Sequence, residues 1–241
     1  MEKWVEENTI LLGKTGSHAY GTNIETSDVD YKGICIPPVE YFLGLNSFDG
    51  YDKTGGKNYK NTQDDIDITI LHINKFVRDA MAGVPNNLEL LFLDEYITLD
   101  KFGKELVDMR EEFISKQIIK KYGGYAKSQA KRMVEHRPNK GRNELVDEYG
   151  YDTKFFMHTI RLLQTGTELL ETGTMTTKRK NAEELIELRK GKYSLDDAVK
   201  YIEDWDNKLY EAYKYSAVRE NVDKEKINKW LVDFNMRRIK G

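Results

Sequence analysis

Through the first hundred residues apolar and polar positions alternate in short bursts, whereas beyond them apolar positions recur every three to four residues. A period of two marks half-buried strands and a period near 3.6 marks amphipathic helices. NTILLGKTGS (residues 8–17) starts on an apolar run and ends at Gly16 and Ser17, which predicts a strand running into a turn and a short helix. SDVDYKGICI (residues 27–36) alternates and then becomes β-branched, which predicts a second strand. Pro, Gly, Asn and Asp break the pattern between Pro37 and Lys60, and a long loop is expected there. DDIDITILHI (residues 64–73) resumes alternation, with Ile66, Ile68 and Ile70 on one face and Asp65, Asp67 and Thr69 on the other. From Asn74 the spacing of Phe76, Val77, Ala80 and Met81 predicts a helix that Gly83 and Pro85 stop. After LELLFL (residues 88–93), helical patterns cover residues 101–135, 152–172, 181–190, 195–215 and 223–238. The expected architecture is a small α/β unit, residues 1–105, followed by a mostly helical part, residues 106–241, with the boundary between residues 97 and 115.

Composition narrows the class. Hydrophobic residues make up 39% and charged residues 33% of the chain, with 15 Tyr and 9 Phe, too aromatic for disorder and too polar for a membrane protein. No apolar run approaches the roughly 20 residues of a membrane span, and the N-terminus lacks a signal-peptide pattern, so a soluble cytoplasmic protein without a membrane partner is expected. The one cysteine, Cys35, sits among branched residues in GICI and reads as core filling. Charge is unevenly spread: residues 1–100 carry 8 Lys/Arg against 17 Asp/Glu, and residues 101–241 carry 30 against 24. An acidic first part suits cation binding, and a basic second part suits a phosphate-bearing partner.

The chemistry starts at Asp28 and Asp30. Two residues apart on a predicted strand, their carboxylates share one face about 7 Å apart, an arrangement that favours a bridging divalent cation such as magnesium. Upstream, Gly16 lets a phosphate approach the backbone, and the Ser17 hydroxyl can donate to it. A third carboxylate from the next strand completes a two-metal site for phosphoryl transfer, and Asp67, deeper in its strand than Asp65, is the expected member.

GSHAYGTNIETSDVDYKGI, DIDITILHINKF, NNLELLF and GYDTKFFMHTIRLLQTGTELLETG together resemble the branch of the DNA polymerase β superfamily described as predicted nucleotidyltransferases of the RNA repair pathway type. The resemblance runs through much of residues 10–193. It implies an α/β (α+β) polymerase-beta-type nucleotidyltransferase core with a mostly helical C-terminal part. It also implies phosphate cradling at Gly16 and Ser17, and catalysis and metal binding at Asp28, Asp30 and Asp67. Magnesium is the implied metal, with manganese as the substitute, and a nucleoside triphosphate the substrate. In place of the Asn-Pro-Asn usual after the first long helix, this chain has Val84, Pro85 and Asn86, which removes a polar group at position 84. Glu89 fits the family's glutamate without an evident mechanism.

Lys154, His158 and Arg161 are spaced i, i+4 and i+7 on a predicted helix, and this shared face is expected to contact the triphosphate or an RNA end. KRMVEHRPNKGR gathers Arg132, His136, Arg137, Lys140 and Arg142, a candidate RNA-binding stretch. His18 and Tyr20, flanking Gly-Ser, are candidates for base contact. The resulting expectation is transfer of a nucleoside monophosphate from a nucleoside triphosphate to an acceptor hydroxyl, an RNA end such as that of tRNA, with release of pyrophosphate. The rival readings are a catalytically silent nucleotide-binding or antitoxin-like module, against which the three carboxylates argue, and a metal-dependent phosphohydrolase.

Overall fold

The structure, a computed structural model, describes residues 2–53, 66–135 and 143–240. The elements run α1 (Lys3–Glu7), β1 (Thr9–Thr15), α2 (Gly16–Tyr20), β2 (Val29–Cys35), α3 (Glu40–Leu43), β3 (Gly50–Lys53), β4 (Ile66–His72), α4 (Ile73–Met81), α5 (Pro85–Leu90) and β5 (Thr98–Leu99). Helices follow: α6 (Lys101–Asp108), a 3₁₀ turn (Arg110–Phe113), α7 (Ile118–Val134), α8 (Asn143–Tyr149), α9 (Thr153–Thr172), α10 (Ala182–Arg189), α11 (Leu195–Tyr215) and α12 (Lys224–Ile239). This is the mixed α/β core with a helical C-terminal part that the residue pattern implied.

The five strands form one sheet in the order β3-β4-β2-β1-β5. β2 runs antiparallel to β1 and parallel to β4, and its in-register pairing with β4 sets Asp30 opposite Asp67 and Lys32 opposite Thr69. The loop expected between Pro37 and Lys60 holds a one-turn helix, α3, and the edge strand β3, which pairs antiparallel with β4. Residues 54–60 of that loop, and Asp65, lie outside the described residues.

Two apolar clusters flank the sheet. A small one joins Val5, Cys35 and Ile70 with Trp4, Phe48, Tyr51 and Ile68 at its margin. The large one runs unbroken from Ile10 and Leu11 through Phe76, Leu88 and Phe102 to Phe156, Leu163 and Phe234, so both parts of the chain share one core. Cys35, in the small cluster, is wholly buried as filling, its thiol pushed up to about 12 by burial.

At the centre of the helical part lies α9. Asp152 caps it by accepting from Lys154 N and Phe155 N, and Gly173, at φ 72°, closes it. The helix is buried on nearly every side, and it tolerates its threonines because Thr159, Thr165 and Thr167 donate to carbonyls one turn back. The helical pattern read over 101–135 is split in the structure: the chain turns after α6 and resumes at α7, held by Lys116 N donating to Arg219 O. α12 returns to the α/β unit, where Asn235 donates to Asn74 Oδ1 and Arg238 to Asn8 Oδ1. No described helix is long and apolar enough to cross a membrane.

Candidate active site

The β1-to-α2 turn and the first residues of β2 meet at one end of the sheet. Thr15, the last residue of β1, pairs with Asp30, so the next residue is pressed against the Asp30 side chain. Gly16 occupies that place at φ +62°, and a Cβ there would sit 1.9 Å from Asp30 Oδ2. Both the left-handed backbone and the missing volume require glycine. Ser17 follows in the first turn of α2, whose five residues end at Gly21 in the left-handed conformation.

Asp28 directly precedes β2, Asp30 is its second residue, and Asp67 is the second residue of β4. Each offers a carboxylate oxygen lying within 4.8 Å of the others, and all three side chains are half-buried. Burial, then the neighbouring charges of Asp28 and Asp67, push the Asp30 carboxyl up to about 6, against the opposing pull of Lys154. Crowded carboxylate oxygens of this kind are the donor set of a hard divalent cation. The three residues therefore fit a metal of the magnesium type.

Beside the carboxylates opens a cleft of about 440 Å³. Gly16, Asp30, Asp67, Lys32, Thr69 and Asn86 line it from the α/β unit; Gln129, Arg132, Phe155, His158 and Arg161 line it from α7 and α9. Ser17, Asp28 and Lys154 are not among its lining residues, although Lys154 is near enough to act on Asp30. The face shared by Lys154, His158 and Arg161 thus turns toward the carboxylates. Arg132 stacks its guanidinium over Phe155, 4.8 Å from the ring centroid. Arg137, Lys140 and Arg142, with His136, lie outside the described residues.

Two of the candidate residues are engaged within the protein. Arg161 is only 4% exposed, and its guanidinium donates to Glu89 Oε1 at 2.7 Å, so its charge is already committed within the protein. Tyr20 is likewise not available to stack on a base: its ring lies under the Arg161 guanidinium, 3.7 Å away, and its hydroxyl donates to Glu89 Oε2 at 2.5 Å. Burial pushes the Tyr20 hydroxyl far above the usual phenol range, and Glu89 and Tyr20 hold Arg161 charged against the desolvation that opposes it. Glu89 is therefore the hub that joins α2, α5 and α9 beneath the cleft. Of the other flanking candidate, His18, Nε2 is buried without a hydrogen-bond partner among the described residues. Val84, at the N-cap of α5, makes no side-chain cap, which is the local cost of the missing asparagine.

One lining residue escaped the sequence reading. Lys32 follows Asp30 at i+2, on the same strand face, and burial pulls its ammonium down to about 8 while Glu89 and Asp79 hold it up. The alternation that marked the aspartates also marked this lysine.

The family described as RlaP, RNA repair pathway DNA polymerase beta family, matches residues 1–233. An uncharacterized 38.9 kDa protein in the nrdC-mobD intergenic region of Enterobacteria phage T4 is 33% identical over 129 residues. That match covers 52% of this chain and 38% of the phage protein, so the chain corresponds to well under half of that relative's length. The crystal structure of a nucleotidyltransferase-like protein from Exiguobacterium sibiricum 255-15 aligns with 86% of this chain and 69% of its own, at 12% identity and a TM-score of 0.32.

Proposed function

The chain belongs to the RNA repair pathway DNA polymerase beta family, and on that premise we propose that it transfers a nucleoside monophosphate from a nucleoside triphosphate to the hydroxyl of an RNA end. The observation that carries the reading is the convergence of Asp28, Asp30 and Asp67 beside a cleft whose far wall presents His158 and Arg132.

In this reading the acceptor hydroxyl attacks the α-phosphorus and gives its proton to one of the three carboxylates, while the α–β phosphoanhydride breaks and pyrophosphate departs. Asp28, Asp30 and Asp67 would hold magnesium, or manganese in its place, which supplies Lewis acidity to the attacking hydroxyl and neutralises charge on the triphosphate. Gly16 gives the phosphates access to backbone at the β1–α2 turn, and Ser17 donates a hydroxyl beside it. Lys154 and His158 add donors from α9, and Arg161 acts one layer down by fixing that helix to Glu89. The acidic residues belong to the α/β unit of residues 1–105 and the cations to the helical part of residues 106–241, so transfer takes place between the two. Arg132 and the basic residues 137, 140 and 142 are assigned to the RNA backbone, which the excess of Lys/Arg beyond residue 100 supports.

The test is incubation of the protein, and of an Asp28→Ala, Asp30→Ala double variant, with magnesium, each α-labelled nucleoside triphosphate in turn, and total small RNA. Label entering RNA with the wild type alone supports the reading and identifies the acceptor. Bound nucleotide with no movement of label overturns it.

A further inference from the structure

The inner end of the cleft, farther along β2 than the aspartates, contains a cation that the transfer reading leaves unused. Asp28, Asp30 and Lys32 alternate onto one face of the chain, and Lys32 stands about 7 Å along β2 from Asp30, opposite Thr69. Its side chain lines the cleft. The carboxylates nearest to it each have another partner. Glu89 accepts from Arg161 at 2.7 Å and from Tyr20 at 2.5 Å, and Asp79 accepts from Lys75 at 3.1 Å and from Asn87 at 3.3 Å. Lys32 itself makes no ion pair or hydrogen bond among the described residues. A half-buried ammonium has lost part of its hydration and has three donors to place, which is costly unless an anion takes them.

The cleft also has an unmet acceptor. Gln129, on α7, lines it, and its buried Oε1 has no hydrogen-bond partner among the described residues. A ligand that fits both walls offers anionic oxygens to Lys32 and a donor, such as a sugar hydroxyl or a base amino group, to Gln129. A phosphate ester of a nucleoside carries both.

We propose that Lys32 forms a phosphate subsite at the inner end of the cleft. Its occupant is a phosphate group of the substrate, supplied by the nucleotide's phosphate chain or by a terminal phosphate on the acceptor RNA. The naming of these two sources rests on the transferase reading; the subsite itself rests on the cleft.

Isothermal titration of wild type, Lys32→Met and Lys32→Arg, with magnesium and again with EDTA, tests it. The probes are pyrophosphate and short oligoribonucleotides ending in a 5′-phosphate, a 3′-phosphate or hydroxyls only. Wild type is expected to bind a phosphate-bearing probe, Lys32→Met to bind it about tenfold or more weakly, and Lys32→Arg to stay within about threefold of wild type. Preference for pyrophosphate assigns the subsite to the nucleotide, and preference for a phosphorylated over a hydroxyl-ended oligoribonucleotide assigns it to the acceptor. Lys32→Gln replaces Lys32→Met if the latter melts early. Absence of phosphate binding by the wild type, or equal binding by wild type and the neutral variant, overturns the subsite. If label is still transferred to RNA in that case, the transferase reading survives alone; if the subsite holds but no label moves, the reverse is true.

Discussion

Asp30 and Glu89 face the same cleft in opposite circumstances. Glu89, 4% exposed, accepts from a buried arginine and a buried tyrosine, so its charge is answered within the protein. Asp30 is half-buried among like charges, and burial, then the approach of Asp28 and Asp67, raises its carboxyl to about 6. A carboxylate answered by its own chain holds the fold together. Carboxylates pressed on one another destabilise the fold until a cation joins them, and this is the physical mark of a site that works on a ligand.

Substitutions at the two places should therefore separate activity from stability. The largest effect is expected from Asp28→Ala with Asp30→Ala, where label transfer should fall by at least about 10³-fold. Urea unfolding should show this variant as stable as the wild type or more so, because repulsion is relieved; a variant that unfolds early would break the comparison. Glu89→Gln should do the converse. It leaves the Arg161 guanidinium buried without its counter-charge, at a cost of about 3 kcal/mol or more in the same unfolding assay. A third effect concerns the cation. At about ten times its dissociation constant magnesium should raise the wild-type melting temperature by about 3–6 °C, and leave the double aspartate variant unmoved while still raising that of Glu89→Gln. The smallest effect is expected from Tyr20→Phe, which removes one hydrogen bond to Glu89 and should cost about 1–2 kcal/mol without changing the magnesium response.

Sequence pattern reveals one of these places far better than the other. β1 was legible from its apolar run into Gly16 and Ser17, and β2 and β4 from their alternation, which set Asp28 and Asp30 on one face. The long helices were legible from their period. β3 and β5, four and two residues long, are too short to establish a period, and β3 lies in a stretch rich in Gly and Asp. α8, seven residues long, falls between the helical patterns read over residues 101–135 and 152–172 and showed no period of its own. The Glu89 hub joins residues 69 and 72 positions apart, and no local spacing encodes such a contact. Arg161 illustrates the limit: its spacing from Lys154 and His158 is right for a shared face, but depth across that face is decided by packing against α2 and α5, which local spacing does not encode. Lys32 could have been found by the rule that found Asp30, since both obey the same alternation.

The pairing of β2 with β4 has a consequence for how such a protein can change over generations. Parallel strands hold Asp30 and Asp67 side by side by register, whatever length of chain joins them. The connection between these strands can therefore gain or lose residues without moving the two carboxylates apart. Loss of one residue within β4, such as Ile68, would instead turn Asp67 to the opposite face. New segments that adapt the protein to a different acceptor have room to arise in the connection, while β2 and β4 must be inherited at constant length.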